Sequence, residues 1–334
     1  MYNKMKKICL SLSLPLALAL VVTATGCLGE APVAEVTVVA ENRLCDKLLY
    51  TEYSDGTAML TGYDGTLTEL ILPDMVNGLA LTAIAPRAFE NSATLTTLRC
   101  GENMTNIGYE CFYQCSALET VEIGAGVTDI GYYAFEGTPW MAAQTDEFVL
   151  AGDGVLLKYQ GKGGAVTIPD TVKVLSDAFF RCDTLTEVTL GKNVEVVGPY
   201  AFAYCTSLRD VQFNASLRVI GDYAFAFCEN LRSIKLPANV TEIGTSAFFY
   251  CTLLRRFEAN EALLSIGADA FNYCNHLTSV SLGCDLREVG DYAFYECYIL
   301  VGVTYDGTPD EWEQISMGQG NAMLTDAARN YLGN

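Results

Sequence analysis

Apolar residues recur along this chain in one fixed order, Leu-x-x-Val-x-Leu-x-x-x-Val-x-x-Ile-Gly-x-x-Ala-Phe-x-x-Cys-x-x. Leu231, Ile234, Leu236, Val240, Ile243, Gly244, Ala247, Phe248 and Cys251 fill it in sequence, and further copies start at Leu95, Leu118, Leu185, Leu208, Leu254 and Leu277. Phenylalanine marks the period: Phe89, Phe112 and Phe135, then after a break Phe179, Phe202, Phe225, Phe248, Phe271 and Phe294, each step outside the break being 23 residues. Self-similarity at such a period predicts a solenoid. A stacked array offers one long surface built from the positions that vary between repeats, so the default expectation is binding.

Within the unit, Leu-x-x-Val-x-Leu alternates inward aliphatic with outward polar side chains, which predicts a strand. Glycine follows the next aliphatic at Gly108, Gly131, Gly198, Gly221, Gly244, Gly267 and Gly290. A turn with positive φ or a close backbone approach would require it. Ala-Phe-x-x-Cys fits one tight helical turn that drops the phenyl ring inward. Each repeat is therefore expected to be one strand, one corner and one short return. A lone repeat buries too little apolar surface to offset the ordering of its backbone, so stability should reside in the interfaces between neighbours.

These spacings resemble the BspA-like leucine-rich repeat family of bacterial surface proteins, from about Leu67 to Tyr305, with six consecutive units in phase. The flanks are similar too: Asp55-Gly56-Thr57-Ala58 through Gly62-Tyr63 at one end, and Tyr305-Asp306-Gly307-Thr308-Pro309 with Glu311-Trp312 at the other. The resemblance implies an α/β repeat fold, a right-handed leucine-rich repeat solenoid of 23-residue coils with a parallel β-sheet on one face and short helical turns on the other. It also implies a surface used for adhesion or other protein contacts, with no family-wide catalytic residues.

The first residues bear on the compartment. Lys4, Lys6 and Lys7 precede an apolar run from Ile8 to Val22, and Ala24-Thr25-Gly26 lead into Cys27. This is the pattern of a bacterial lipoprotein signal, with Cys27 as the lipidated residue. An ordinary secretory signal or an uncleaved anchor are the alternatives, although the run is short for a spanning helix. The expected organisation is a signal peptide over 1–26, an anchor and tether over 27–44, an N-terminal hairpin cap over 45–66, the solenoid over 67–305 with a modified coil at about 139–168, and a helical cap over 306–334.

The hairpin rests on Leu48 to Tyr53 and Ala58 to Tyr63 around Asp55-Gly56. The second cap rests on Thr308-Pro309-Asp310-Glu311, a capping box with proline at the first helical position. The break between Phe135 and Phe179 spans 44 residues, two short of two periods. Phe148-Val149-Leu150 and Val155-Leu156-Leu157 around Gly152-Asp153-Gly154 read there as two short strands.

A hydrophobic content of 51% supplies a long core, and a net charge of −20 disfavours nucleic acid or an anionic membrane surface as partner. Membrane contact is expected through the N-terminal lipid only. Of thirteen cysteines, Cys115, Cys182, Cys205, Cys228, Cys251, Cys274 and Cys297 share one repeat position. Equivalent side chains point the same way rather than at each other, so a column of buried free thiols is expected. With His276 the only histidine, neither a histidine-based triad nor a His-rich metal site can be built. No catalytic residue, metal or cofactor is expected.

Two outward columns are the candidates for contact. Arg209, Arg232 and Arg255 follow one another, with Lys235 and Arg256 nearby, unless salt bridges to neighbours such as Asp210 and Glu258 occupy them. Tyr204, Phe227, Tyr250 and Tyr273 precede the ladder cysteine, with Tyr200 and Tyr223 four residues before Tyr204 and Phe227; packing between coils would also explain such a column. The functional expectation is a lipid-anchored, extracytoplasmic binding or adhesion protein of the bacterial envelope whose partner is a host extracellular or other cell-surface protein. A structural envelope component and a glycan-binding module are the alternatives.

Overall fold

The computed structural model describes residues 36–333. The chain winds as a parallel β-solenoid whose register advances by one repeat per coil, Val219 pairing with Glu242 and Glu242 with Ser265. Each regular coil carries two strands rather than the single one expected. One has three to five residues, as in Leu185–Thr189, Asp210–Gln212, Ser233–Lys235, Arg256–Glu258 and Ser279–Leu282. The other has two, as in Val219–Ile220, Glu242–Ile243 and Ser265–Ile266. The second strand arises at Val-x-x-Ile because both aliphatics are buried and the extended chain lies beside its own copy in the next coil. Its backbone groups must find partners there.

The return segment is a chain of overlapping turns in place of a helical turn. Alternate amides point in different directions: Ala201, Ala203 and Cys205 donate to Gly198, Tyr200 and Phe202 within the coil, whereas Tyr200, Phe202 and Tyr204 donate to Asp222, Ala224 and Ala226 of the next. Left-handed backbone at Tyr200 (φ 59°) and Tyr204 (φ 62°) produces this alternation, and the same two positions repeat at Tyr223 and Phe227. Among the described residues, helices of four residues occur only at Pro139–Ala142, Pro309–Trp312 and Ala322–Thr325.

The ladder glycines are explained by close approach and not by φ. A Cβ on Gly267 would sit 2.5 Å from the carbonyl carbon of Gly244, and one on Gly131 would run into the amide nitrogen of Tyr109. Inside, the phenylalanines form two stacks with centroids 5.0–5.5 Å apart, Phe89 through Phe135 and Phe179 through Phe294.

At the break, Tyr159 takes the missing rung. Its ring stacks on Phe179 at 4.7 Å, and its amide donates to Ala178 as that of Phe179 donates to Ala201, both at 2.9 Å. The 44 residues thus resolve into two unequal coils, one from Phe135 to Tyr159 and one from Tyr159 to Phe179. Trp140, on the short helix capped by Thr138, closes the first stack edge-on against Phe135 at 5.0 Å. Val155–Tyr159 pairs antiparallel with Phe148–Ala151 and parallel with Val174–Leu175, so the irregular coil opens the ladder of the second half, while Asp129–Ile130 ends that of the first.

At the N-terminal end, Leu48–Tyr53 and Thr57–Tyr63 pair antiparallel, and Thr57–Tyr63 then joins the parallel ladder through Leu79–Ile84. Val38–Cys45, all but its last residue within the expected tether of 27–44, forms a further strand on the hairpin. Most of its side chains are exposed, so it is held by backbone pairing and leaves no burial pattern to read. At the other end the Thr308/Glu311 capping box forms in both directions, and Trp312 packs edge-on to Tyr305 at 5.3 Å. The segment also extends both ladders, through Ser316–Met317 and Ala328–Tyr331.

Candidate interaction surface

The three-residue strands project the arginine column outward. Arg209, Arg232 and Arg255 are all exposed at the entry to successive strands, and the Arg255 amide donates to the Arg232 carbonyl at 2.9 Å. Lys235 does pair with Glu258, at 3.1 Å. Among the described residues, however, no ion pair is formed by Arg209, Arg232, Arg255 or Arg256, and the Asp210 carboxylate accepts instead from Gln212 at 2.6 Å. Arg232, Arg255 and Arg256 line an open cleft of about 480 Å³ together with Ser233, Leu253 and Thr278. Like charges stacked at strand spacing repel, and guanidinium forks match carboxylate or phosphate oxygens. The arrangement suits an acidic group.

The aromatic column is packed along its length and exposed along one edge. Tyr204 and Phe227 stack at 4.5 Å, Phe227 and Tyr250 lie at 5.3 Å, and Tyr250 and Tyr273 at 5.7 Å. Tyr204, Phe227 and Tyr250 are half-buried, and Tyr273 is exposed. The column runs further than the repeat spacing indicates, continuing from Tyr204 through Phe180 and Tyr133 to Tyr113 across the break. Arg181 lies over Phe180 and Tyr204, 5.3 and 5.4 Å from the ring centres. The signal for Phe180 and Tyr133 is their phase, one after Phe179 and two before Phe135, which the altered spacing at the break obscures. Cys27 lies outside the described residues.

All described cysteines are free. The column has a specific bonding role: the Phe225 carbonyl accepts from the Cys228 amide at 3.1 Å and from the Cys251 thiol of the next coil at 3.2 Å. The same thiol-to-phenylalanine bond recurs from Cys115, Cys205, Cys228, Cys274 and Cys297 at 3.0–3.3 Å. A small, apolar side chain with a weak donor fills this position well. Cys182 is the exception, half-buried beside Thr184, because the coil before it is the irregular one. Burial pushes the Cys115 thiol up to about 11 and Cys297 up to about 12, and holds Cys205, Cys228 and Cys274 well above the usual thiol range. Alkylation of the native protein should therefore spare the column apart from the half-buried Cys182, and alkylation in denaturant without reductant should label most of it. Mass spectrometry showing an oxidised column would refute this assignment. Among the described residues no group of three or more His, Cys, Asp or Glu side chains is placed to hold a metal ion.

The family profile described as BspA type leucine-rich repeat region matches residues 63–145 and 166–301 in six copies, more than half of the chain. The chain belongs to this family of bacterial leucine-rich repeat proteins, and the unmatched interval falls on the irregular coil. Among solved structures it is similar to the T. pallidum leucine-rich repeat protein TpLRR, at 30% identity over 49% of this chain and 77% of that one, with a TM-score of 0.45. It is also similar to a leucine-rich cell surface protein of Faecalibacterium prausnitzii, at 19% identity over 82% of this chain and 97% of that one, with a TM-score of 0.41. The pneumococcal vaccine antigen PcpA matches at 18% identity over 81% of this chain and 69% of that one, with a TM-score of 0.44. No curated protein matches. Among the described residues no helix is long and apolar enough to cross a membrane.

Proposed function

We propose that this protein is a non-catalytic binding or adhesion module of the bacterial envelope, tethered by a lipid on Cys27, that engages an acidic segment of a protein partner on its three-residue-strand face. The observation that carries this reading is the exposed arginine column Arg209, Arg232 and Arg255, which makes no ion pair among the described residues of a chain with a net charge of −20. Cationic residues on an acidic protein add to its electrostatic self-complementarity only when paired; held unpaired in phase, they favour an external anion. The partner is expected to be a host extracellular or other cell-surface protein.

Replacing Arg209, Arg232 and Arg255 together by serine should weaken capture of an acidic partner and flatten its salt dependence, while the thermal unfolding midpoint stays nearly unchanged because exposed substitutions cost within about 0.5 kcal/mol each. Unaltered affinity and salt dependence would exclude the arginine face and shift attention to the aromatic column. For the anchor, Cys27→Ala should leave the precursor unprocessed or release the protein from the membrane fraction. Unchanged processing and retention would rule out lipidation.

A further inference from the structure

We propose that the irregular coil opens a binding site for an alkylammonium ion, in a cleft between the turns at Tyr133 and Phe180. In regular coils the amide two residues before the ladder phenylalanine donates to a carbonyl of the next coil, as Glu110 does to Tyr132 at 2.9 Å and Tyr200 to Asp222 at 3.0 Å. The coil that ends at Tyr159 approaches as an extended strand and contributes no turn at this level. The Tyr133 amide meets instead the Asp177 carboxylate, at 3.3 Å, which reaches across from the following coil. The gap so created has a volume of about 310 Å³ and is lined by Tyr113, Tyr133, Phe180, Glu136, Lys158 and Asp177.

Its chemistry selects for a small cation. Two carboxylates face one ammonium, and that ammonium, Lys158, is engaged by Glu136 at 3.4 Å. Among the described residues Asp177 forms no ion pair; it accepts from the Tyr133 amide and from Ser176 Oγ, both at 3.3 Å. Burial, with a smaller contribution from the Glu136 charge, pushes the Asp177 carboxyl up to about 7. A bound cation would offset that burial. Tyr133 lies 6.3 Å from Tyr113 and 5.5 Å edge-on to Phe180, so rings of differing orientation border the cleft; Arg181 already lies over Phe180, at 5.3 Å, which leaves the tyrosine rings to attract a further cation. The volume sits at the lower end of small-molecule pockets, which suits an ammonium head with a short apolar stem.

The test is a ligand-observed NMR titration of the purified protein with n-butylammonium, using n-butanol as the neutral control of equal shape. Butylammonium should bind at pH 8 and butanol should not. Binding should weaken at pH 5.5, where Asp177 takes up a proton while the amine, like a lysine side chain, stays charged. Asp177→Asn keeps an oxygen for the Tyr133 amide and should weaken binding at least about tenfold, the factor a charge-assisted hydrogen bond contributes. Lys158→Met removes the internal competitor and should tighten it. Equal responses to the two ligands, or unchanged affinity in Asp177→Asn, would overturn the proposal. Should that variant fail to fold, the wild-type comparison of pH 8 with pH 5.5 decides: equal affinity at both overturns it.

Discussion

Phe225→Ala is expected to lower the unfolding free energy by about 3 to 5 kcal/mol, the range for removing a large buried aromatic side chain. The ring is fully buried, stacked between Phe202 at 5.1 Å and Phe248 at 5.3 Å, with Phe213 edge-on at 6.1 Å. Two of these contacts belong to neighbouring coils, so the loss falls on two interfaces at once. In a stack stabilised by nearest-neighbour terms, the coils on either side should open before the rest. Urea unfolding followed by hydrogen exchange would show a lower midpoint and selective loss of protection around Phe202 and Phe248. A cost below about 1 kcal/mol would mean that the stack can close over the gap, contrary to the usual limited relaxation of buried sites. Any loss of partner binding in this variant should track unfolding.

Gly267→Ala should destabilise by about 1 to 3 kcal/mol, the usual penalty for overpacking a filled site. The added methyl would meet the backbone of the preceding coil, with both the Gly244 carbonyl carbon and the Thr245 nitrogen 2.5 Å away. Backbone cannot rotate aside as a side chain can, and widening the gap would lengthen the Gly267 to Ile243 hydrogen bond, now 2.8 Å. Gly302→Ala is the control. Gly302 lies in a strand with no positive φ, and a methyl there would have nothing within 4 Å, so alanine should be neutral or slightly stabilising. Equal thermal midpoints for the two variants would show that close approach is not what demands glycine in the ladder.

Much of the fold was legible because each regular repeat packs on a copy of itself. Phe202, Phe225 and Phe248 appear at one spacing since each ring's neighbour is the equivalent ring, and Cys205, Cys228 and Cys251 recur because each thiol serves the same carbonyl one coil back. The arginine column was legible as a phase, but its lack of carboxylate partners among the described residues was not. Whether Asp210 turns toward Arg209 or toward Gln212 depends on side-chain geometry that spacing does not encode. The second strand of each coil was missed for a related reason. Two residues such as Glu242–Ile243 are too few to show alternation, and only the adjacent coil makes them a strand.

By itself the sequence determined the period, the inward positions, the thiol column and the capping box at Thr308, all of which are set by local pattern repeated against itself. Tertiary structure alone decided the rest. Tyr159 fills a phenylalanine rung although no repeat signature marks it, because the stack selects whichever ring the shortened coil brings to that level. Asp177 meets the Tyr133 amide across 44 residues, and Phe180 joins Tyr133 to Tyr204, because the irregular coil withholds a turn there. Periodicity records contacts between equivalent residues. Contacts between a repeat and an interruption have no equivalent elsewhere in the chain, and they exist only once the coils are stacked.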